Sequence, residues 1–231
     1  MAMPRIARLM RRGLEVREGK RAYRAHNKYI NWVGSADLGY LVTADDDIFY
    51  PRSWLEELWA AFVEGGRMQA VGHWVRCPSL IGLDFAPFST WKDVTDQSAC
   101  IGRFTFGVSG VIFPSALRQE LARSGTAFLE RAPLADDIWI SWCALRSGVE
   151  VRQCRRRSAT QLVVPLTQGH QLAQENVLRE QNDRQLATTY NEADRKALRG
   201  ISDGSPTHSA RVTSLGATQS HTATEDDDIN D

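Results

Sequence analysis

At 231 residues, 42% of them hydrophobic and seven of them tryptophan, the chain is long enough for one cored domain of roughly 150–200 residues plus extensions. Lys and Arg number 28 and Asp and Glu number 28, so the formal charge is zero and no nucleic acid is expected as a partner. No apolar run approaches the ~18 residues of a membrane span, and residues 1–12 lack the apolar centre of a signal peptide.

The four cysteines (Cys77, Cys100, Cys143, Cys154) show no CxxC and no zinc spacing, so they read as reduced, buried, intracellular thiols. A cytoplasmic location follows as the expectation. The charge is unevenly placed. Residues 1–28 hold nine Lys/Arg against two Glu, while the last seven residues hold five acids. A basic start suits phosphates or peripheral contact with the inner face of the cell membrane as readily as it suits a solvated helix face.

Ile6, Leu9, Met10 and Leu14 recur at helical spacing, with Gly13 placed to cap that helix and residues 14–16 reading as a short strand. Residues 25–33 read as a second helix, 34–39 as a loop, and 40–44 as a buried strand that ends at Asp45-Asp46-Asp47. Ser53 and Glu56 have the spacing of a capping box at the start of a helix whose apolar face is Trp54, Leu58 and Phe62, and Gly65-Gly66 ends it. Residues 68–75 are a strand candidate. Residues 78–103, rich in Pro, Ser and Gly, read as a long functional loop or lid.

Residues 104–114 form a strand or strand pair interrupted by Gly107 and Gly110, and interior glycines mark a bulge or a close backbone approach. Residues 115–123 are helical. Asp136-Asp137 open a further helix with a buried stripe of Ile138, Trp139, Trp142, Cys143 and Leu145, capped by Gly148. Residues 149–154 are a strand followed by Arg155-Arg156-Arg157, a solvated patch or an acceptor-facing one. Residues 171–191 are mostly helical, and from Asp203 the composition predicts disorder. The expected organisation is one domain over 1–200 and a tail over 201–231. Alternating strands and helices predict an α/β sandwich with a mostly parallel sheet.

Three adjacent carboxylates at the end of a buried strand repel one another. A hard divalent cation, Mg²⁺ or Mn²⁺, compensates them and bridges to phosphates, which carboxylates cannot hold directly because ionised carboxylates only accept hydrogen bonds. A charged turn with a capping aspartate is the plainer alternative. Asp136-Asp137 likewise suit a helix N-terminus for dipole reasons alone, worth about 0.3–1 kcal/mol. Paired with the first cluster on an α/β scaffold, they become a candidate proton acceptor for a hydroxyl. Gly107-Val108-Ser109-Gly110 suits a pocket-lining backbone. His170 is a candidate metal ligand, and Asn27-Lys28 are candidates for phosphate contact.

Taken in order, Lys28, Thr43-Ala44-Asp45-Asp46-Asp47-Ile48-Phe49-Tyr50-Pro51, Gly107-Val108-Ser109-Gly110-Val111-Ile112-Phe113-Pro114, Ala135-Asp136-Asp137-Ile138-Trp139, and Asn176 with Asn182-Asp183-Arg184-Gln185-Leu186 carry a resemblance. Over residues 5–190 the chain resembles bacterial glycosyltransferases of the GT-A kind, close to the family-2-like enzymes of capsule and lipopolysaccharide synthesis. That resemblance implies a GT-A-like, Rossmann-like αβα sandwich and transfer of a sugar from a nucleotide-diphosphate donor to a saccharide or lipid-linked saccharide acceptor. It implies Asp47 as the ligand of Mn²⁺ or Mg²⁺, and Asp45, Asp46 and Lys28 on the donor. It further implies Asp137 as the base that inverting members use, with Asp136 orienting or binding the acceptor, and Gly107, Ser109, Gly110 and Trp139 beside the acceptor; whether the reaction inverts or retains is left open by the sequence.

Two departures accompany it. Only 44 residues precede Asp45 and none of them form an apolar strand, so the nucleoside-binding strand and loop are expected to be missing. Val108 and Ser109 also stand where such enzymes carry Gly-Xaa-Gly-Gly. A catalytically silent domain that binds a saccharide or a partner protein is the alternative, and a metal-dependent phosphohydrolase a third.

Overall fold

The computed structural model describes residues 4–17, 19, 21–35, 39–158, 162–164 and 181–202. His170, Asn176 and the acidic tail expected above lie outside the described residues. Helices in chain order are α1 (Pro4–Met10), α2 (Trp54–Glu64), α3 (Ser115–Ser124), α4 (Phe128–Arg131), α5 (Asp136–Arg146), α6 (Gln181–Thr189) and α7 (Glu192–Ser202). Strands are β1 (Leu41–Thr43), β2 (Ile48–Phe49), β3 (Ala70–Gly72), β4 (Val75–Cys77), β5 (Leu80–Ile81) and β6 (Asp84–Phe85), then β7 (Lys92–Asp93), β8 (Ala99–Cys100), β9 (Phe104–Thr105), β10 (Val111–Phe113), β11 (Val151–Gln153) and β12 (Leu162–Val163). Among the described residues no helix is long and apolar enough to cross a membrane.

The central sheet has the order β1-β10-β3-β11-β8. Only β3 and β11 run parallel, with Ala70 opposite Val151; β1/β10, β10/β3 and β11/β8 are antiparallel. Smaller sheets β7-β4-β9, β12-β2 and β5-β6 surround it. The expectation of a mostly parallel, Rossmann-like GT-A sandwich is therefore wrong: the molecule is mixed α/β with small and mostly antiparallel sheets. The reason lies in residues 78–103. They hold a run of short strands, β5 to β8, of which β8 joins the edge of the central sheet antiparallel to β11, and the chain then passes through β9 to enter that sheet again as β10, antiparallel to both β1 and β3.

Strand alternation then fixes the packing, because successive side chains point to opposite faces. On one face Val71 of β3 and Ile112 of β10 meet Leu58 and Phe62 of α2, with Val42 of β1 beside them. On the other, Ala70, Val111, Phe113 and Val151 pack with Leu117, Ile138, Trp139 and Cys143 from α3 and α5. Leu58 and Phe62 are fully buried, and each such side chain contributes about 1.5–3 kcal/mol.

Local expectations fared unevenly. Helices α1, α2, α3 and α5 fall where periodicity placed them. Residues 14–16 are coil, and the helix expected over 25–33 is a short 3₁₀ turn, Arg24–Lys28, followed by turns. The Ser53 capping box does not form: Ser53 precedes α2 without a side-chain cap. Helix α7 was not anticipated.

Candidate active site

Lys28 is placed by its neighbours. His26 is fully buried, with Nε2 2.8 Å from the Ala132 carbonyl and Nδ1 2.7 Å from the Tyr29 hydroxyl. A carbonyl only accepts, so Nε2 carries the proton and Nδ1 accepts from Tyr29. The ring also stacks on Phe128 of α4 at 3.8 Å. These contacts pin the 3₁₀ turn to the segment before α5, and Lys28, its last residue, is delivered to the two acidic motifs.

The Lys28 ammonium stands 2.7 Å from Asp45 at the end of β1 and 3.4 Å from Asp136 at the start of α5. The two oxygens that face it make no well-aligned hydrogen bond and are held by charge. Burial works against the ammonium, but Asp136, Asp137 and Asp45 together outweigh it and raise its pKa. Burial likewise raises Asp45, against the pull of Lys28. Asp137 is half-buried and its Oδ1 accepts the Gly107 N–H at 2.7 Å. Burial first, then the charge of Asp136, raises its pKa, and Lys28 and the Gly107 amide only partly offset them.

A Cβ at Gly107 would meet Asp137 Oδ1 at 3.1 Å and Lys28 Nζ at 3.4 Å, so the cluster closes over a bare backbone. Motifs some 90 residues apart in sequence thus meet around one cation. No protein-family model, curated protein or solved structure matches this chain.

Not every expected residue joins the cluster. Asp46 is exposed in the turn after β1. Asp47 is half-buried; its carbonyl accepts the Val164 N–H at 2.7 Å, and no cation pairs its carboxylate among the described residues. Lys28 is already engaged by two carboxylates, so its first role is internal counter-ion. Trp139 is fully buried, stacked on Trp142 at 4.8 Å, and has no surface to offer an acceptor. Ser109 and Gly110 are also buried and act as scaffold, which leaves Val108 as the half-exposed member of that turn. Arg155 to Arg157 are exposed, and Arg155 pairs with Glu57 rather than facing the cluster.

Tyr50, read above only as part of the first motif, and Trp54, read only as part of an apolar helix face, hold the two halves in register. The Tyr50 hydroxyl accepts the Asp45 N–H at 2.8 Å and donates to the Val108 carbonyl at 2.8 Å. Trp54 donates its indole N–H to the Ser109 carbonyl at 2.7 Å. Tyr50 four residues before Trp54, each with an apolar body and one polar atom, was the only signal available. Replacing Tyr50 with Phe leaves a half-buried amide and carbonyl unpartnered. A loss of about 1–3 kcal/mol is expected in urea denaturation.

Gly110 has φ +93°, and an added Cβ would land inside the Trp54 indole. Gly110→Ala therefore combines left-handed strain with a clash that only a shift of α2 relieves. Its expected cost is about 3 kcal/mol or more by thermal denaturation.

A surface cavity of about 310 Å³ lies elsewhere, lined by Pro78, Ser79, Leu80, Gly82, Arg199 and Ser202 between the β5–β6 hairpin and α7. None of the carboxylates above reaches it.

Proposed function

We propose that this chain is a metal-dependent glycosyltransferase domain that moves a sugar from a nucleotide-diphosphate sugar to an acceptor hydroxyl, in surface polysaccharide synthesis. The observation that carries the reading is the convergence of Asp45, Asp136 and Asp137 on Lys28.

The residues fit a hard divalent cation. The donors of the two acidic motifs are oxygens, which suit Mn²⁺ or Mg²⁺, and Asp47, whose carboxylate no cation pairs among the described residues, is left to take the ion. Asp45 and Asp47 would hold the ion, which supplies charge neutralisation for the departing diphosphate. The chain's own groups do the rest. Asp137, kept in place by the Gly107 amide, takes the proton of the acceptor hydroxyl. Its raised pKa brings it closer to neutral pH, where a general base is most effective. Asp136, buried and paired with Lys28, orients that end of the site. Lys28 limits the mutual repulsion of the acids and can turn to the donor phosphates.

A second reading, a silent saccharide- or partner-binding domain, is favoured by one observation: the Lys28–Asp45 pair already compensates one acid from within. Incubating the full chain with Mn²⁺ and a panel of uridine, guanosine and thymidine diphosphate sugars separates the readings. Acceptor-dependent release of nucleoside diphosphate, abolished by chelator, is expected. Acceptor-independent release of nucleoside monophosphate and sugar phosphate, by cleavage of the diphosphate anhydride with water, indicates a phosphohydrolase, and sugar-nucleotide binding without turnover indicates the silent domain.

A further inference from the structure

Trp54, which packs on Tyr50 at 4.5 Å, also stacks at 6.4 Å on His73, a member of a group of side chains with a different chemistry. His73 follows β3, Cys154 follows β11, and Glu57 sits in the first turn of α2. Cys154 Sγ is 3.0 Å from His73 Nδ1, and Glu57 Oε2 is 3.9 Å from the same nitrogen. One ligand atom from each lies within 4.8 Å of the other two, and this is the candidate metal group found among the described residues. His73 is 1% exposed and Cys154 7%.

The arrangement is oriented as well as close. His73 Nε2 lies 3.1 Å from the Trp54 carbonyl. A carbonyl can only accept, so Nε2 bears the proton and Nδ1 presents its lone pair to the sulfur and the carboxylate. A histidine that ligates a metal typically shows this pattern, its second nitrogen donating to a backbone carbonyl. Glu57 is split in the same sense. Its Oε1 pairs with Arg155, while its Oε2 is buried with no hydrogen-bond partner. Tetrahedral zinc places thiolate, imidazole and carboxylate ligand atoms about 3.4–3.6 Å apart. The 3.0 Å sulfur–nitrogen and 3.9 Å nitrogen–oxygen separations lie on either side of that range.

We propose that Glu57, His73 and Cys154 form a binding site for a borderline-soft divalent cation of the Zn²⁺ class, cross-linking β3, β11 and α2. The mixed sulfur, nitrogen and oxygen donors favour Zn²⁺ over Mg²⁺ or Mn²⁺. As the sulfur–metal bond forms, the Cys154 S–H bond breaks and its proton goes to water. Without a cation, burial holds the thiol protonated, its pKa pushed up to about 12, so Cys154 has no use as a free nucleophile. Three protein ligands leave a fourth position for water.

The test uses the full chain, stripped with chelator and titrated with Co²⁺ and then Zn²⁺. Expected are a near-ultraviolet thiolate-to-cobalt charge-transfer band that saturates at one equivalent, its displacement by Zn²⁺, and a rise in Tm with Zn²⁺. Cys154→Ser should lose the band, and Glu57→Gln should weaken binding tenfold or more. Asp47→Ala should leave the band unchanged, because an all-oxygen site gives no such absorption; the result is thus independent of the glycosyltransferase reading. No band in the wild-type protein, or a band retained in Cys154→Ser, overturns the proposal. The wild-type measurement alone decides the case if Cys154→Ser fails to fold.

Discussion

Replacing Lys28 with methionine is expected to destabilise the fold by about 3–5 kcal/mol, because removing one partner of a buried ion pair leaves its acids uncompensated. The side chains of Lys28 and Asp45 are only 22% and 16% exposed, and that of Asp136 6%, so water offers them little relief. Methionine keeps the volume and removes the charge, which isolates the electrostatic part. In an Asp45→Asn, Asp136→Asn background the same substitution should cost far less, since the two carboxylates that pair directly with the ammonium are gone. Urea denaturation of the four proteins closes the cycle. A loss under about 1 kcal/mol in the single variant would mean that the three groups are not held together as described.

Asp137→Asn is expected to reduce sugar transfer by about 10²–10⁴-fold while leaving the fold intact. An asparagine oxygen can still accept the Gly107 N–H, so the loss should fall on the rate and spare donor binding. Stability should move the other way. Because the folded pKa of Asp137 lies above its usual value, the folded protein holds a proton that the unfolded chain has already released. The unfolded state therefore binds fewer protons in that window, and stability falls as pH rises from the usual carboxylate range through the raised value. Asparagine cannot ionise. The variant should be the more stable protein on the alkaline side of the window, with the gap closing toward pH 4. Equal transfer rates in wild type and variant would remove Asp137 from the chemistry.

Helices α2, α3 and α5 were legible because each has an apolar stripe bounded by glycine or proline, and β1 because apolar residues run straight into the acids. Strand direction was not legible. It depends on how the chain crosses from β3 to β10, and no periodicity in residues 78–103 records that β10 inserts antiparallel between β1 and β3. In the site, Asp45, Asp136 and Asp137 were legible as acids at element ends. Lys28 was legible as a candidate for phosphate or donor contact, but not as the counter-ion of two acids, since what delivers it there is the His26–Ala132 anchor, a contact across 106 residues. Trp139 was misjudged because it directly follows the acidic pair and Ile138. On a helix whose residues 138 to 144 are all buried, nearness in sequence to Asp137 says nothing about access. The Glu57–His73–Cys154 group had no spacing signature, because its members come from three elements that only the sheet and α2 bring together.

The most direct test of the function is calorimetry of a nucleotide-diphosphate sugar with the wild-type chain and with Asp47→Ala, each with Mn²⁺ and with chelator. Lys28 pairs with Asp45 of the first motif and with Asp136, and no ion pair joins Asp47 to a cation among the described residues, so its loss should not disturb the Lys28 cluster. Binding by the wild type in Mn²⁺ alone, absent in chelator and in Asp47→Ala, is the expected result. Unchanged donor binding by Asp47→Ala, or no binding by the wild type with any sugar nucleotide, would contradict the assignment.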